Sequence, residues 1–345
     1  MRIGDLIAKV PVIQGGMGVG VSLANLAGAV AKNGGVGVIS TAQIGFREAD
    51  FLKNPIECNL KAIKKEIDKA REIAAGGILG VNIMVATRRY EDYVKAAVEA
   101  GIDLIISGAG LPMNLPELVA GSKTKIAPIV SSKKAFDVIT KYWLKKYNRL
   151  PDLTVIEGPA AGGHLGFSKE DIEKYSKESY DQEVVNIIEA SRKLGQEQGS
   201  YIPVAVAGGV YDRADYDHYK ELGADGVQVA TRFVTTKECD ASDAYKQAYI
   251  DARKEDIVIV KSPVGMPGRA IKNDFLEKIS EGKRFVSTCK LCIKNCRQSE
   301  IPFCITDALI NAVKGNINQG LIFCGSNAYR ATSIETVAEI MEEFA

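Results

Sequence analysis

Short, continuous apolar runs alternate along the chain with longer stretches in which apolar positions recur every three or four residues. The runs are Pro11 to Gln14, Val36 to Ser40, Leu79 to Met84, Leu104 to Ser107, Ile126 to Val130, Thr154 to Ile156, Val204 to Ala207 and Val227 to Val229. Most are rich in Val, Ile and Leu and lack polar alternation, which suits strands buried on both faces of a parallel sheet. Between them, Ile56 to Ala75, Tyr90 to Ala100, Lys134 to Tyr147, Gln182 to Leu194 and Arg213 to Leu222 read as amphipathic helices. Several stop at a glycine, as in Ala100-Gly101 and Leu222-Gly223, where a left-handed cap is needed. Eight strand–helix units in series predict a closed (β/α)8 TIM barrel of the α/β class, with its chemistry at the C-terminal strand ends.

The chain has 345 residues, more than the roughly 250 such a barrel needs, and the excess has a different texture. Residues 1–255 read as the barrel and 256–345 as a C-terminal extension packed on or beside it. The extension holds an apolar run from Ile257 to Val260, a turn-rich segment from Ser262 to Arg269 and a short helix near Asn273 to Ser280. A cysteine cluster follows, then an amphipathic helix from Ser333 to Phe344 with Ser333 as its expected N-cap. A charged stretch from Ser168 to Asp181 enters after the sixth strand and reads either as a lid over the rim or as a solvated excursion.

Lys and Arg number 44 against 43 Asp and Glu, so no basic footprint points to nucleic acid or an anionic membrane. A small molecule is the expected partner; the oligomeric state is left open, a homodimer being one option. No run approaches the ~20 apolar residues that span a bilayer, and nothing near Met1 resembles a secretion signal, so a cytoplasmic location is expected. Seven cysteines without such a signal argue against a disulfide framework.

The unusual residues gather at the predicted strand ends. Val155 to Gly166 runs from a strand into a small-residue loop carrying His164, one of two histidines in the chain. A loop of this kind brings backbone close to a flat ligand and presents an imidazole able to titrate near neutrality. His218, in a polar helical stretch, is expected to be solvated. Gly208-Gly209 and Ala230-Thr231 end the seventh and eighth strands, where a barrel builds its phosphate site from backbone N–H groups and hydroxyls. The glycines of Gly15 to Gly20 do not fit a dinucleotide fingerprint, because Val21 stands where the third glycine belongs. Asn82 is polar within an apolar run and needs a partner, either backbone or a ring atom of a planar cofactor.

Cys289, Cys292, Cys296 and Cys304 fall within sixteen positions. That spacing allows zinc or an iron–sulfur cluster, or four free thiols. Cys58, Cys239 and Cys324 read as structural.

With these residues in view, the chain resembles the nitronate monooxygenase family, formerly 2-nitropropane dioxygenases, a group of FMN-dependent barrels related to flavin-dependent enoyl-ACP reductases. The resemblance rests on Gly162-Gly-His-Leu-Gly166, Gly265-Met-Pro-Gly-Arg269 and Gly320-Leu-Ile-Phe-Cys-Gly325. It implies that Gly16, Met17, Gly18, Asn82, Ser131, Glu157, Gly162 and Gly163 border FMN, and that Gly208, Gly209, Ala230 and Thr231 hold its phosphate. His164 would be the catalytic base or the group that orients the substrate. The implied activity is oxidation of nitronates or nitroalkanes by O2; the alternative is NAD(P)H-dependent reduction of an enoyl thioester, and a flavin-holding or metal-sensing module is a distant third.

Overall fold

The computed structural model describes residues 1–175 and 177–345. The barrel strands, numbered here β1 to β8, are Val12–Gln14, Val36–Ser40, Ile78–Met84, Leu104–Gly108, Lys125–Val130, Thr154–Glu157, Val204–Ala207 and Gly226–Val229. Every neighbouring pair is parallel, and β8 closes the ring on β1 by setting Val227 opposite Val12. The apolar runs read from the sequence differ from these strands by at most one residue at either end.

Alternation along each strand sorts the side chains into two layers. Ile13, Val36, Val38, Leu104, Ile106, Ala127, Val155 and Ala205 pack together inside the ring. Val12, Ile39, Val81, Ile105, Ile126 and Ile156 face outward, under the helices. The five expected helices are present as Pro55–Ala74, Tyr90–Glu99, Lys133–Tyr147, Lys177–Glu197 and Arg213–Glu221. Ala24–Lys32 and Asp243–Asp251 are additional.

The extension is tied into the barrel by a second, antiparallel sheet. Ile257–Lys261 pairs with Pro267–Ile271, which in turn pairs with Gly163–His164 of the loop after β6. Asn273 caps the short helix Asp274–Ser280 by accepting the Leu276 N–H at 3.1 Å. The terminal helix is Val337–Phe344, so Ser333 is not its cap. Thr336 takes that place because Glu339, three residues on, closes a reciprocal capping box that Ser333 cannot form with Thr336. Arg232, just past β8, anchors this helix through Glu343 at 2.6 Å and also meets Glu335 at 2.8 Å.

In the charged stretch 168–181, Ser168 caps an exposed helix, Lys169–Lys174. Phe167, Tyr175 and Tyr180 meet edge-on behind it, and the Tyr180 hydroxyl donates to the Ser131 carbonyl at 2.6 Å. The stretch is therefore fastened to the end of β5 rather than being a free excursion; its Ser176 lies outside the described residues. No helix among the described residues is long and apolar enough to cross a membrane.

Candidate active site

The C-terminal ends of all eight strands open into one cavity of about 430 Å³, within the roughly 300–1,000 Å³ usual for small-molecule sites. All the residues expected to border or anchor FMN line it: Gly16, Met17, Gly18, Asn82, Ser131, Glu157, Gly162, Gly163, Gly208, Gly209, Ala230 and Thr231. His164 lines it as well. None of the described residues from Ser168 to Asp181 does.

Two of the glycines are required by backbone packing. A Cβ on Gly162 would stand 2.5 Å from the Cys324 carbonyl carbon, and one on Gly208, whose φ is +98°, would stand 2.9 Å from the Gly158 oxygen. The loops after β6 and β7 and the extension can close around the cavity only because these side chains are missing. Beside them, Asn327 donates to the Gly209 carbonyl at 2.7 Å, and Thr231 Oγ1 accepts the Gly325 N–H at 3.1 Å. The Thr231 hydroxyl proton and the first N–H groups of the short helix Thr231–Val234 thereby remain for an anion.

The same cavity wall carries titratable groups. Glu157 is the last residue of β6 and shares the inward side of that strand with Val155. Burial pushes its carboxyl up to about 7, and among the described residues the carboxyl has no hydrogen-bond or ion-pair partner. Among the described residues, the Asn82 side chain makes a single long hydrogen bond, donating to the Ile106 carbonyl at 3.4 Å, so its amide retains capacity for a ligand.

The His164 ring packs edge-on against Phe323, with centroids 4.9 Å apart, and its Nε2 lies 2.7 Å from Ser262 Oγ. Burial lowers the imidazole to about 4. Losing solvation in this way disfavours the charged ring and weakens it as a proton acceptor.

Arg269 holds the loop that carries His164. Its guanidinium donates to the carbonyls of Pro159, at 2.9 Å, and Ala161. Among the described residues it has no carboxylate partner, and desolvation lowers its pKa.

Sequence reasoning gave no role to Ser262 or Arg269, although both lie in segments it singled out. It also passed over Ser40, Gln228, Tyr245, Tyr249, Met266 and Phe323, which share the cavity wall. Cys324 lines the cavity too, but as a buried thiol pushed up to about 12.

Among the described residues, no group of three or more His, Cys, Asp or Glu side chains is placed to hold a metal ion, so zinc or an iron–sulfur cluster at Cys289, Cys292, Cys296 and Cys304 is unsupported. Cys304 is buried ahead of the helix Ile305–Val313, while the loop holding the other three is pinned to the barrel by Arg88 N–H to the Cys292 carbonyl and Lys294 N–H to the Ala86 carbonyl, each 3.0 Å. His218 is not simply solvated: its Nε2 lies 3.0 Å from an Asp181 carboxylate oxygen.

A family model described as nitronate monooxygenase matches residues 2–345. The chain belongs to the nitronate monooxygenase family. The protein is therefore a flavin-dependent oxidoreductase, and a cavity walled by close-packed glycine loops, with an anion-ready end, fits that cofactor.

A Mycobacterium tuberculosis protein named (3aS,4S,5R,7aS)-5-hydroxy-7a-methyl-1-oxo-octahydro-1H-indene-4-carboxyl-CoA dehydrogenase is 27% identical over 79% of this chain and 66% of its own. The chain thus spans just under two thirds of that relative's length. A "Probable nitronate monooxygenase" of Staphylococcus saprophyticus is 24% identical, over 81% of this chain and 80% of its own. Among solved structures, FabK from Thermotoga maritima superposes with a TM-score of 0.74 at 25% identity, covering 98% of this chain and 92% of that one. Nitroalkane oxidase from Streptomyces ansochromogenes shares the fold, with a TM-score of 0.71 at 17% identity over 98% and 95% of the two chains.

Proposed function

We propose that the protein binds FMN and oxidises alkyl nitronates with O2. The observation that carries this reading is His164 on the cavity wall with its Nε2 2.7 Å from Ser262 Oγ, in a setting whose burial lowers its basicity. A nitronate has already lost its α-proton and needs an oriented donor for its oxygens rather than a strong base. FMN, when bound, supplies two-electron exchange between substrate and O2.

The chain's own residues divide the remaining work. Gly208, Gly209, Ala230 and Thr231 hold the phosphate, and Gly16, Met17, Gly18, Asn82, Ser131, Gly162 and Gly163 border the ring system. Met17, Met266 and Phe323 supply apolar wall that excludes water. Glu157 shares the mouth of the barrel and is largely neutral below about pH 7, which lowers its repulsion of an anionic substrate.

The test is O2 uptake by FMN-loaded protein at pH 7.5, with a primary nitronate and with its parent nitroalkane. We expect turnover of the nitronate, with the neutral nitroalkane at least about tenfold slower because His164 is a weak base. Equal rates would reject the orienting role, and no uptake with any nitronate would reject the reaction.

A second reading, NAD(P)H-dependent reduction of an enoyl thioester, is favoured by the M. tuberculosis relative, whose name specifies a carboxyl-CoA substrate. Anaerobic mixing with NADH separates the two: rapid bleaching of the flavin supports the reductase, slow bleaching the monooxygenase.

A further inference from the structure

Ser262 lies 98 positions from His164 in the sequence, yet its hydroxyl oxygen sits 2.7 Å from the ring's Nε2. It opens a tight turn in which the Gly265 N–H donates to the Ser262 carbonyl at 3.1 Å and the Ser262 N–H donates to the Met266 carbonyl at 3.2 Å. Ser262 is 2% exposed, so its hydroxyl must settle its hydrogen bonds inside the protein.

The two contacts of that oxygen settle their direction. The Val264 N–H points at Ser262 Oγ from 3.4 Å, and an N–H can only donate. Among the described residues, the one acceptor within reach of the Ser262 proton is then His164 Nε2. If Nε2 carried a proton instead, Oγ would receive two donors and its own buried proton would have no acceptor. The same conflict arises if the ring is protonated on both nitrogens.

We propose that Ser262 is a positioning residue that locks His164 in the neutral tautomer protonated on Nδ1, so that the ring offers its ligand a hydrogen-bond donor and no lone pair. Nδ1 makes no hydrogen bond among the described residues, and His164 lines the cavity, so Nδ1–H is the ring group left for a bound molecule. The low basicity that burial imposes on the ring agrees with this arrangement. The ligand group it recognises is an oxygen carrying negative charge, either a nitronate oxygen or the oxygen of a polarised thioester carbonyl. Only that last statement rests on the proposed function; the tautomer is a property of the chain.

The experiment is ¹⁵N NMR of flavin-loaded protein labelled at histidine, recorded from pH 5.5 to 8. With two histidines in the chain, His218→Gln assigns the signals. We expect His164 Nε2 to show a pyridine-type shift and Nδ1 a pyrrole-type shift across the whole range. A protonated Nε2 at neutral pH overturns the proposal even if nitronates are oxidised. The expected pattern upholds it even if they are not, so failure of the functional reading stays separate.

Ser262→Ala should mix the two tautomers, bring a ring ionisation into the measured range and lower kcat/KM about tenfold. Ser262→Thr should restore the single tautomer. A Ser262→Ala protein whose ring signals match the wild type would also overturn the proposal, and the wild-type spectrum decides the matter if that variant does not fold.

Discussion

Two sets of residues on the cavity wall are built on opposite principles. Around Gly208, Gly209 and Thr231, the groups offered to a ligand are backbone N–H and a hydroxyl, and the nearby cation Arg232 is already paired with Glu335 and Glu343. Around Glu157 and His164, the groups are titratable, half enclosed, and shifted from their ordinary values by lost solvation. The first set is suited to hold a fixed anion at any pH, because backbone N–H groups and a hydroxyl do not titrate near neutrality. The second set is where pH and substrate charge act. Affinity for the cofactor and rate of reaction should accordingly respond to different substitutions.

The largest separation is expected from His164→Ala. Losing one oriented donor to a charged oxygen costs roughly 100- to 1,000-fold in rate, so kcat/KM for a nitronate should fall by about that factor while flavin content, read from absorbance, stays at the wild-type level. A matching loss of flavin would collapse the distinction between the two sets.

A somewhat smaller effect concerns the stability of the flavin-free protein. Glu157 has its folded pKa raised from 4.5 to about 7, so the native state binds the extra proton and stability falls as pH rises through that window. His164 has its folded pKa lowered from 6.5 to about 4, so the native state binds fewer protons and stability is lost as pH falls through that one. Between about pH 4.5 and 6.5 the two slopes oppose each other and nearly cancel. Urea unfolding should expose them singly: Glu157→Gln should show stability rising with pH there, and His164→Gln should show it falling. Each slope should approach about 1.4 kcal/mol per pH unit, and two flat profiles would mean that neither group is desolvated.

The smallest effect tests the proposed phosphate site. Asn327→Ala removes the hydrogen bond to the Gly209 carbonyl. That should weaken FMN binding about fivefold, the worth of about 1 kcal/mol, with kcat for bound enzyme unchanged in fluorescence titration and saturating kinetics.

What could be read from the chain follows the same division between local and distant causes. The strands were legible because burial on both faces demands unbroken apolar runs, and every strand end carries its polar or glycine residue in sequence order. Ala24–Lys32 was not, because it is small and buried nearly all round, leaving no amphipathic stripe. It presses so close to its neighbours that a Cβ on Gly28 would meet Ile73 at 2.6 Å. His164 was conspicuous by composition and by its motif. Ser262 and Arg269 lay in plain view within a turn-rich segment, but their partners are a hundred residues away, and only the antiparallel pairing of Gly268 with His164 brings them together. The cysteines were conspicuous by spacing alone, which fits metal ligands and free thiols equally, and no metal-holding group is found among the described residues.

That small antiparallel sheet also sets an order of events during synthesis. A nascent chain that has emerged only as far as residue 255 has every barrel strand, yet it lacks the neighbour strand of Gly163–His164, the Arg269 clamp and the Gly325 backbone that meets Thr231. The loop after β6 is stitched in place only once the segment beyond residue 255 has been made.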